Sequence, residues 1–176
     1  MFNPKNPIGL VALNNARGIP QPPSKFSSRT ADKFVIRTSR AMLDAVLVLG
    51  RVRGRSQNSE VVEAVLASLA GRQRVIATRN IYAQKLGPTM AAVVLATVER
   101  FGEAESLGKD KANIRLPYGV RSAIADAVER SKRDTLRFRS MNTFITDALV
   151  FWINNQRECN ALLSACIEQD ESLTLL

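Results

Sequence analysis

The sequence predicts a mainly helical fold built on a short two-stranded antiparallel ribbon, with one strand–helix–helix unit written twice around a helical linker. Three observations carry that expectation. First, Lys33, Val35 and Arg37 alternate with Phe34, Ile36 and Thr38, the period of two that marks a half-buried strand. Second, the alternation recurs downstream, where Lys111, Asn113 and Arg115 oppose Ala112, Ile114 and Leu116. Third, each strand precedes two helical stretches separated by a similar turn, Arg55-Ser56-Gln57-Asn58-Ser59 in one unit and Arg139-Ser140-Met141-Asn142-Thr143 in the other. A lone short ribbon is marginal in water, so two such strands in one chain are expected to pair.

Residues 1–32 hold Pro4, Pro7, Pro20, Pro22 and Pro23, five of the seven prolines. Lys5, Arg17, Lys25 and Arg29 against Asp32 give this stretch a net charge of +3. It reads as a flexible basic arm, free to touch DNA phosphates or the minor groove or to serve as a tail with no specific contact. The first unit spans 33–71. Ser39 stands where a helix N-cap belongs. Met42, Leu43, Val46, Leu47 and Leu49 make one apolar face, and Gly54 ends the helix. Ser56 caps a second helix with Val61, Val62, Val65, Leu66 and Leu69 at helical spacing, which stops at Gly71.

The linker, 72–110, is too long to lack structure of its own. One or two helices are expected there, with Pro88–Phe101 placing Met90, Val94, Val98 and Phe101 on one side. The second unit spans 111–157. Pro117 is expected at the first position of its first helix, with Val120, Ile124, Ala127 and Val128 as the apolar stripe. Phe144, Ile145, Ala148, Leu149, Trp152 and Ile153 line the next helix, and this spacing makes Trp152 and Phe151 core or interface residues. The units differ in length: Ser39 to Asn58 spans 19 positions and Pro117 to Asn142 spans 25, six more, within Glu129–Arg137. Residues 158–176 form an acidic C-terminal helix or tail, net −4 from Glu158, Glu168, Asp170 and Glu171. It suits packing on the body or a protein partner better than DNA.

Charge and composition narrow the function. The chain carries 25 Lys+Arg against 16 Asp+Glu, a net +9, which favours an anionic partner, nucleic acid first. No histidine is present, which removes Ser/His and Cys/His nucleophile pairs, histidine metal ligands and the usual general base. No Gly-rich phosphate loop or paired-acid motif is present either. The expectation is a non-enzyme with no cofactor and no metal. Cys159 and Cys166 sit seven apart on a helix, about two turns, too far for a disulfide, and read as buried thiols. No apolar run spans a bilayer and Met1–Ala16 lacks a signal-peptide pattern, so no membrane partner and a cytoplasmic location are expected.

The residues Phe34-Val35-Ile36-Arg37, the helix with Met42-Leu43-Asp44-Ala45-Val46, and Gly54-Arg55-Ser56-Gln57-Asn58-Ser59-Glu60 resemble the Arc/MetJ-like ribbon-helix-helix family. The likeness runs without a gap from Lys33 to about Leu69 and covers about half the chain when both copies are counted. The tandem arrangement is similar to TraY-type proteins of conjugative plasmids. The resemblance implies a β-ribbon inserted in the major groove of double-stranded DNA, in a bacterial, phage or plasmid protein. Lys33, Val35, Arg37, Lys111, Asn113 and Arg115 would then contact bases. Ser56, Gln57, Asn58, Ser140, Met141 and Asn142 would hold the phosphate backbone at the starts of the second helices.

Val35 leaves only an apolar contact, such as a thymine methyl. The family's buried Arg–Glu–Arg triad is incomplete: Arg55 and Glu60 are present, Ala64 stands at the third position, and Phe144 replaces the acid in the second copy. The differing readers, Lys-Val-Arg and Lys-Asn-Arg, imply a non-palindromic site. The copies could pair within one chain or with twins in another; large Phe34 and Ile36 against Ala112 and Ile114 favour the internal pair. The cluster Arg130, Lys132, Arg133, Arg137 and Arg139 suits a phosphate clamp or a solvated helix end equally. The leading role is a transcriptional repressor. Alternatives are an accessory factor at a plasmid transfer origin and an antitoxin-like module with a protein partner, or self-association, through 72–110 or 158–176.

Overall fold

The computed structural model describes residues 32–134, 138 and 140–170; the basic arm, Arg137, Arg139 and the last residues of the tail lie outside them. In chain order the elements are β1 (Asp32–Thr38), α1 (Arg40–Val52), α2 (Gln57–Leu69), α3 (Gln73–Leu86), α4 (Pro88–Thr97), α5 (Glu103–Ser106), β2 (Asp110–Leu116), α6 (Val120–Asp134) and α7 (Met141–Gln169).

The two strands pair antiparallel within the chain, with Val35 opposite Asn113 at the centre. Ile36, Ile114 and Leu116 turn inward and are buried, whereas Lys33, Val35, Arg37, Lys111, Asn113 and Arg115 face out. The size matching is partial: Ile36 opposes Ala112, but Phe34 opposes Ile114. Beneath the ribbon the core gathers Met42, Val46 and Leu49 from α1, Val61 and Val65 from α2, Ile124 from α6, and Ile145, Leu149 and Ile153 from α7. Each such side chain contributes about 1.5–3 kcal/mol by leaving water. The ribbon is therefore the lid of a four-helix core drawn from both units.

Capping explains where the first unit's helices begin and end. Ser39 Oγ accepts the Met42 N–H at 3.1 Å and Ser56 Oγ accepts the Ser59 N–H at 3.1 Å. At the other end of α1, Arg55 N–H reaches back to the Gly50 carbonyl at 2.7 Å and Gly54 N–H to Arg51 at 3.2 Å. That paired return needs a left-handed residue after the cap, and Gly54 supplies it at φ 64°. The returning chain lies so close that a Cβ on Gly50 would sit 2.7 Å from the Arg55 carbonyl oxygen.

Four sequence expectations are corrected. Pro117 is not the first residue of α6; it accepts a turn hydrogen bond from Val120 N–H, and Gly119 at φ 80° delays the helix to Val120. The Pro88–Phe101 helix stops at Thr97, and α3, not drawn individually from the sequence, precedes it. Met90 lies on the open side of α4, while Ala91 is buried. Pro88–Thr97 is apolar nearly all round, so its periodicity could not choose the inner face. Finally, α7 runs for 29 residues straight through the boundary expected at 157/158. Leu162 and Cys166 give its second half an apolar stripe, buried against Leu86 and Ala91 in a second small core. The acidic segment packs on the linker.

Both cysteines are buried and free. Burial pushes the Cys159 thiol above its ordinary range, and the hydrogen bond from Asn155 offsets this only in part. A raised thiol is less ionised at neutral pH, and thiolate is the reactive form. Alkylation at pH 7 is therefore expected to run at least about tenfold slower on folded than on urea-unfolded protein, as mass spectrometry would read. Gly50→Ala is expected to lower unfolding free energy by about 1–3 kcal/mol in a denaturant titration.

Candidate nucleic-acid interface

Six residues share the outer face of the ribbon. In the antiparallel register Lys33 lies opposite Arg115, Val35 opposite Asn113, and Arg37 opposite Lys111. All six are exposed, so the face presents four cations, one amide and one apolar side chain. Arg and Lys suit guanine O6 and N7, and Asn suits adenine N6 and N7. A two-stranded ribbon fits the width of the major groove.

The ribbon is held at the level of its arginines by two asparagines. Arg115 N–H donates to Asn58 Oδ1 at 2.7 Å and Asn58 Nδ2 donates to the Arg115 carbonyl at 3.2 Å. Across the ribbon, Arg37 N–H donates to Asn142 Oδ1 at 2.8 Å and Asn142 Nδ2 donates to the Arg37 carbonyl at 2.9 Å. Each asparagine thus clamps the strand of the other unit, using both the Oδ1 and the Nδ2 of its side-chain amide. The Arg-Ser-x-Asn repeat signalled that both asparagines do the same job, but not that the job is to hold a strand.

The remaining residues expected at the phosphates divide in the same way. Ser56 and Ser140 cap α2 and α7, each accepting the N–H three residues on. Gln57 Nε2 donates to the Leu43 carbonyl at 2.7 Å, and Met141 packs partly buried on the core. What these helix starts offer an anion is main chain: the first N–H groups of a helix have no acceptor within it, and the dipole favours negative charge there. The end of α6 is basic. Lys132 bonds Glu129 at 2.6 Å, and that hydrogen bond with its charge holds the Glu129 carboxyl below the ordinary range. Arg130 and Arg133 turn their Nε toward main-chain carbonyls one turn back.

Under this surface lies an ion cluster that the sequence only half revealed. Glu60 is 0% exposed. Arg53 Nη1 donates to Glu60 Oε2 at 3.2 Å, Arg55 Nη1 stands 3.8 Å from Oε1, and Trp152 Nε1 donates to Oε2 at 2.9 Å. The triad expected to be incomplete is refilled by Arg53, with the indole of the second unit as an added donor. Arg53 also lies 5.3 Å from the Trp152 ring centroid, a cation–π distance. Phe144, in place of the acid in the second unit, packs edge-on against Phe138 at 5.1 Å.

Strands paired in a ribbon, with helices that follow each and share one core, have the arrangement of a ribbon-helix-helix fold. Residues 28–77, which take in the first unit, match the family model described as "Arc-like DNA binding domain". The second unit lies outside the matched residues, and no curated protein and no solved structure matches the chain.

Loss of a clamp exposes its logic. Asn58→Ala and Asn142→Ala should each destabilise the fold by about 1–3 kcal/mol, because two main-chain groups lose their partners. Hydrogen exchange should speed up most at the amide of Arg115 in the first variant and of Arg37 in the second. Uniform acceleration over the whole chain would argue against a local clamp.

Proposed function

We propose that the chain is a sequence-specific binder of double-stranded DNA that places the β1–β2 ribbon in the major groove and acts as a transcriptional repressor. The single observation that carries this reading is the outer face of the ribbon, where Lys33, Arg37, Lys111, Asn113 and Arg115 stand exposed around Val35. These are the side-chain types that match base edges in that groove, and Val35 supplies an apolar contact for a thymine methyl. The helix starts at Ser56-Gln57-Asn58 and Ser140-Met141-Asn142 flank the ribbon and hold phosphates through main-chain N–H groups. The net charge of +9 supports the same partner and adds a salt-dependent, sequence-independent component.

The linker and the end of α7 serve assembly of the DNA-binding body. Among the described residues no helix is long and apolar enough to cross a membrane. A footprint over a promoter supports the repressor role, whereas one confined to a transfer origin would reassign the chain to DNA processing.

Base reading has a sharper signature than binding. Lys111→Ala or Arg115→Ala should weaken a specific site by about tenfold or more, the size of one good base contact. Binding to random duplex at the same salt should fall much less. Gel shifts on both duplexes at two salt concentrations check this, and equal losses on the two would rule out base reading.

A further inference from the structure

The ribbon has a two-fold symmetry of its own, and on the outer face that symmetry fails at one place. β1 reads Asp-Lys-Phe-Val-Ile-Arg-Thr and β2 reads Asp-Lys-Ala-Asn-Ile-Arg-Leu. With Val35 opposite Asn113, Lys33 opposite Arg115 and Arg37 opposite Lys111, an axis through the Val35–Asn113 pair exchanges Lys33 with Lys111 and Arg37 with Arg115. The asparagine clamps obey the same axis, since Asn142 holds Arg37 and Asn58 holds Arg115. Both ends of the reading face therefore carry the same Lys and Arg on equivalently held backbone. Only the centre differs.

Directly opposed residues on one face of a ribbon have Cβ atoms about 4.5–5.5 Å apart, little more than the roughly 3.4 Å spacing along one DNA strand. Val35 and Asn113 thus meet the same central base pair or step. Asn offers the donor and acceptor that pair with adenine N6 and N7, and Val offers only a surface for the thymine methyl. One A·T pair displays both features in the major groove.

Resting on the ribbon reading above, we propose that the DNA target is a near-palindrome whose asymmetry is confined to its centre. The outer positions are two-fold related and read by the same Lys–Arg set. A central A·T pair, adenine toward Asn113 and thymine toward Val35, breaks the symmetry. With symmetric flanks, the sense of that one pair determines which way round the chain lies on the duplex. Direction has a consequence here, because among the described residues α3, α4 and the far end of α7 have no counterpart across the axis.

The test uses the full chain. Binding sites are selected from a random duplex library with the unaltered protein and with Asn113→Ala. The selected site is then built into a longer duplex in both senses of the central pair. It is probed with a Ser59→Cys protein carrying an iron–EDTA cleavage reagent, Ser59 being exposed in the first unit alone. The expected result is a site with two-fold related outer positions about an A·T centre. In Asn113→Ala the central preference falls about tenfold while the outer positions stay. Reversing the central pair moves cleavage to the opposite flank. Half-sites that differ at their outer positions, or cleavage that stays on one flank, would overturn the proposal and leave ribbon reading intact. Selection of no sequence at all, with random duplex still bound, would sink the ribbon reading itself.

Discussion

The pairing of β1 with β2 is the constraint on which the rest of this structure depends. Each strand has seven residues, too few for a ribbon to persist alone in water. Its stability comes from the other side. Ile36, Ile114 and Leu116 are buried in a core to which α1, α2, α6 and α7 all contribute, and Asn58 and Asn142 bind the main chain of the strand from the opposite unit. Removing either strand would leave an apolar roof open over four helices. The outward-facing residues of the ribbon consequently sit on backbone braced from both units, with side chains exposed and main chain fixed.

The two units share that core without being interchangeable in it. Glu60 in α2 faces Arg53, Arg55 and the Trp152 indole of α7, while the equivalent position in the second unit holds Phe144, paired with Phe138. Burying a carboxylate costs several kcal/mol unless it is paired and hydrogen-bonded, and here one of its donors comes from the other unit. A core with one ionic side and one aromatic side is matched to a pair of unlike halves.

The linker delivers the second strand to the first. Phe101 is held at both main-chain groups by Asn154 of α7, with 2.7 and 3.0 Å hydrogen bonds. The Ser106 carbonyl then accepts from Thr38 Oγ1 at 2.8 Å and Ser39 N–H at 3.1 Å. Gly108 follows where a Cβ would meet the Ser39 main chain at 2.5 Å. α3 and α4 are anchored on α7 through Leu86, Ala91, Leu162 and Cys166 and through Arg72–Asp147, Arg79–Glu158 and Lys85–Asp170. A tethered partner strand has an effective concentration of order millimolar, and anchoring along the way restricts it further to one approach.

The amino-acid order by itself determined the two short strands, their outward and inward faces, and the caps at Ser39 and Ser56. Each of these is written in a local period or a single capping residue, and local physics decides it. It also placed Trp152 in the core or an interface, and both cysteines out of reach of one another. Only the tertiary structure decided that Asn58 and Asn142 hold strands, that Arg53 and Trp152 complete the Glu60 cluster, and that the acidic segment prolongs α7. Those outcomes depend on partners between 57 and 105 positions away, except Arg53, which a turn folds back over seven. Likewise the inner face of α4 was undetermined, because a segment apolar all round shows its buried side only once a neighbour, here the end of α7, covers it.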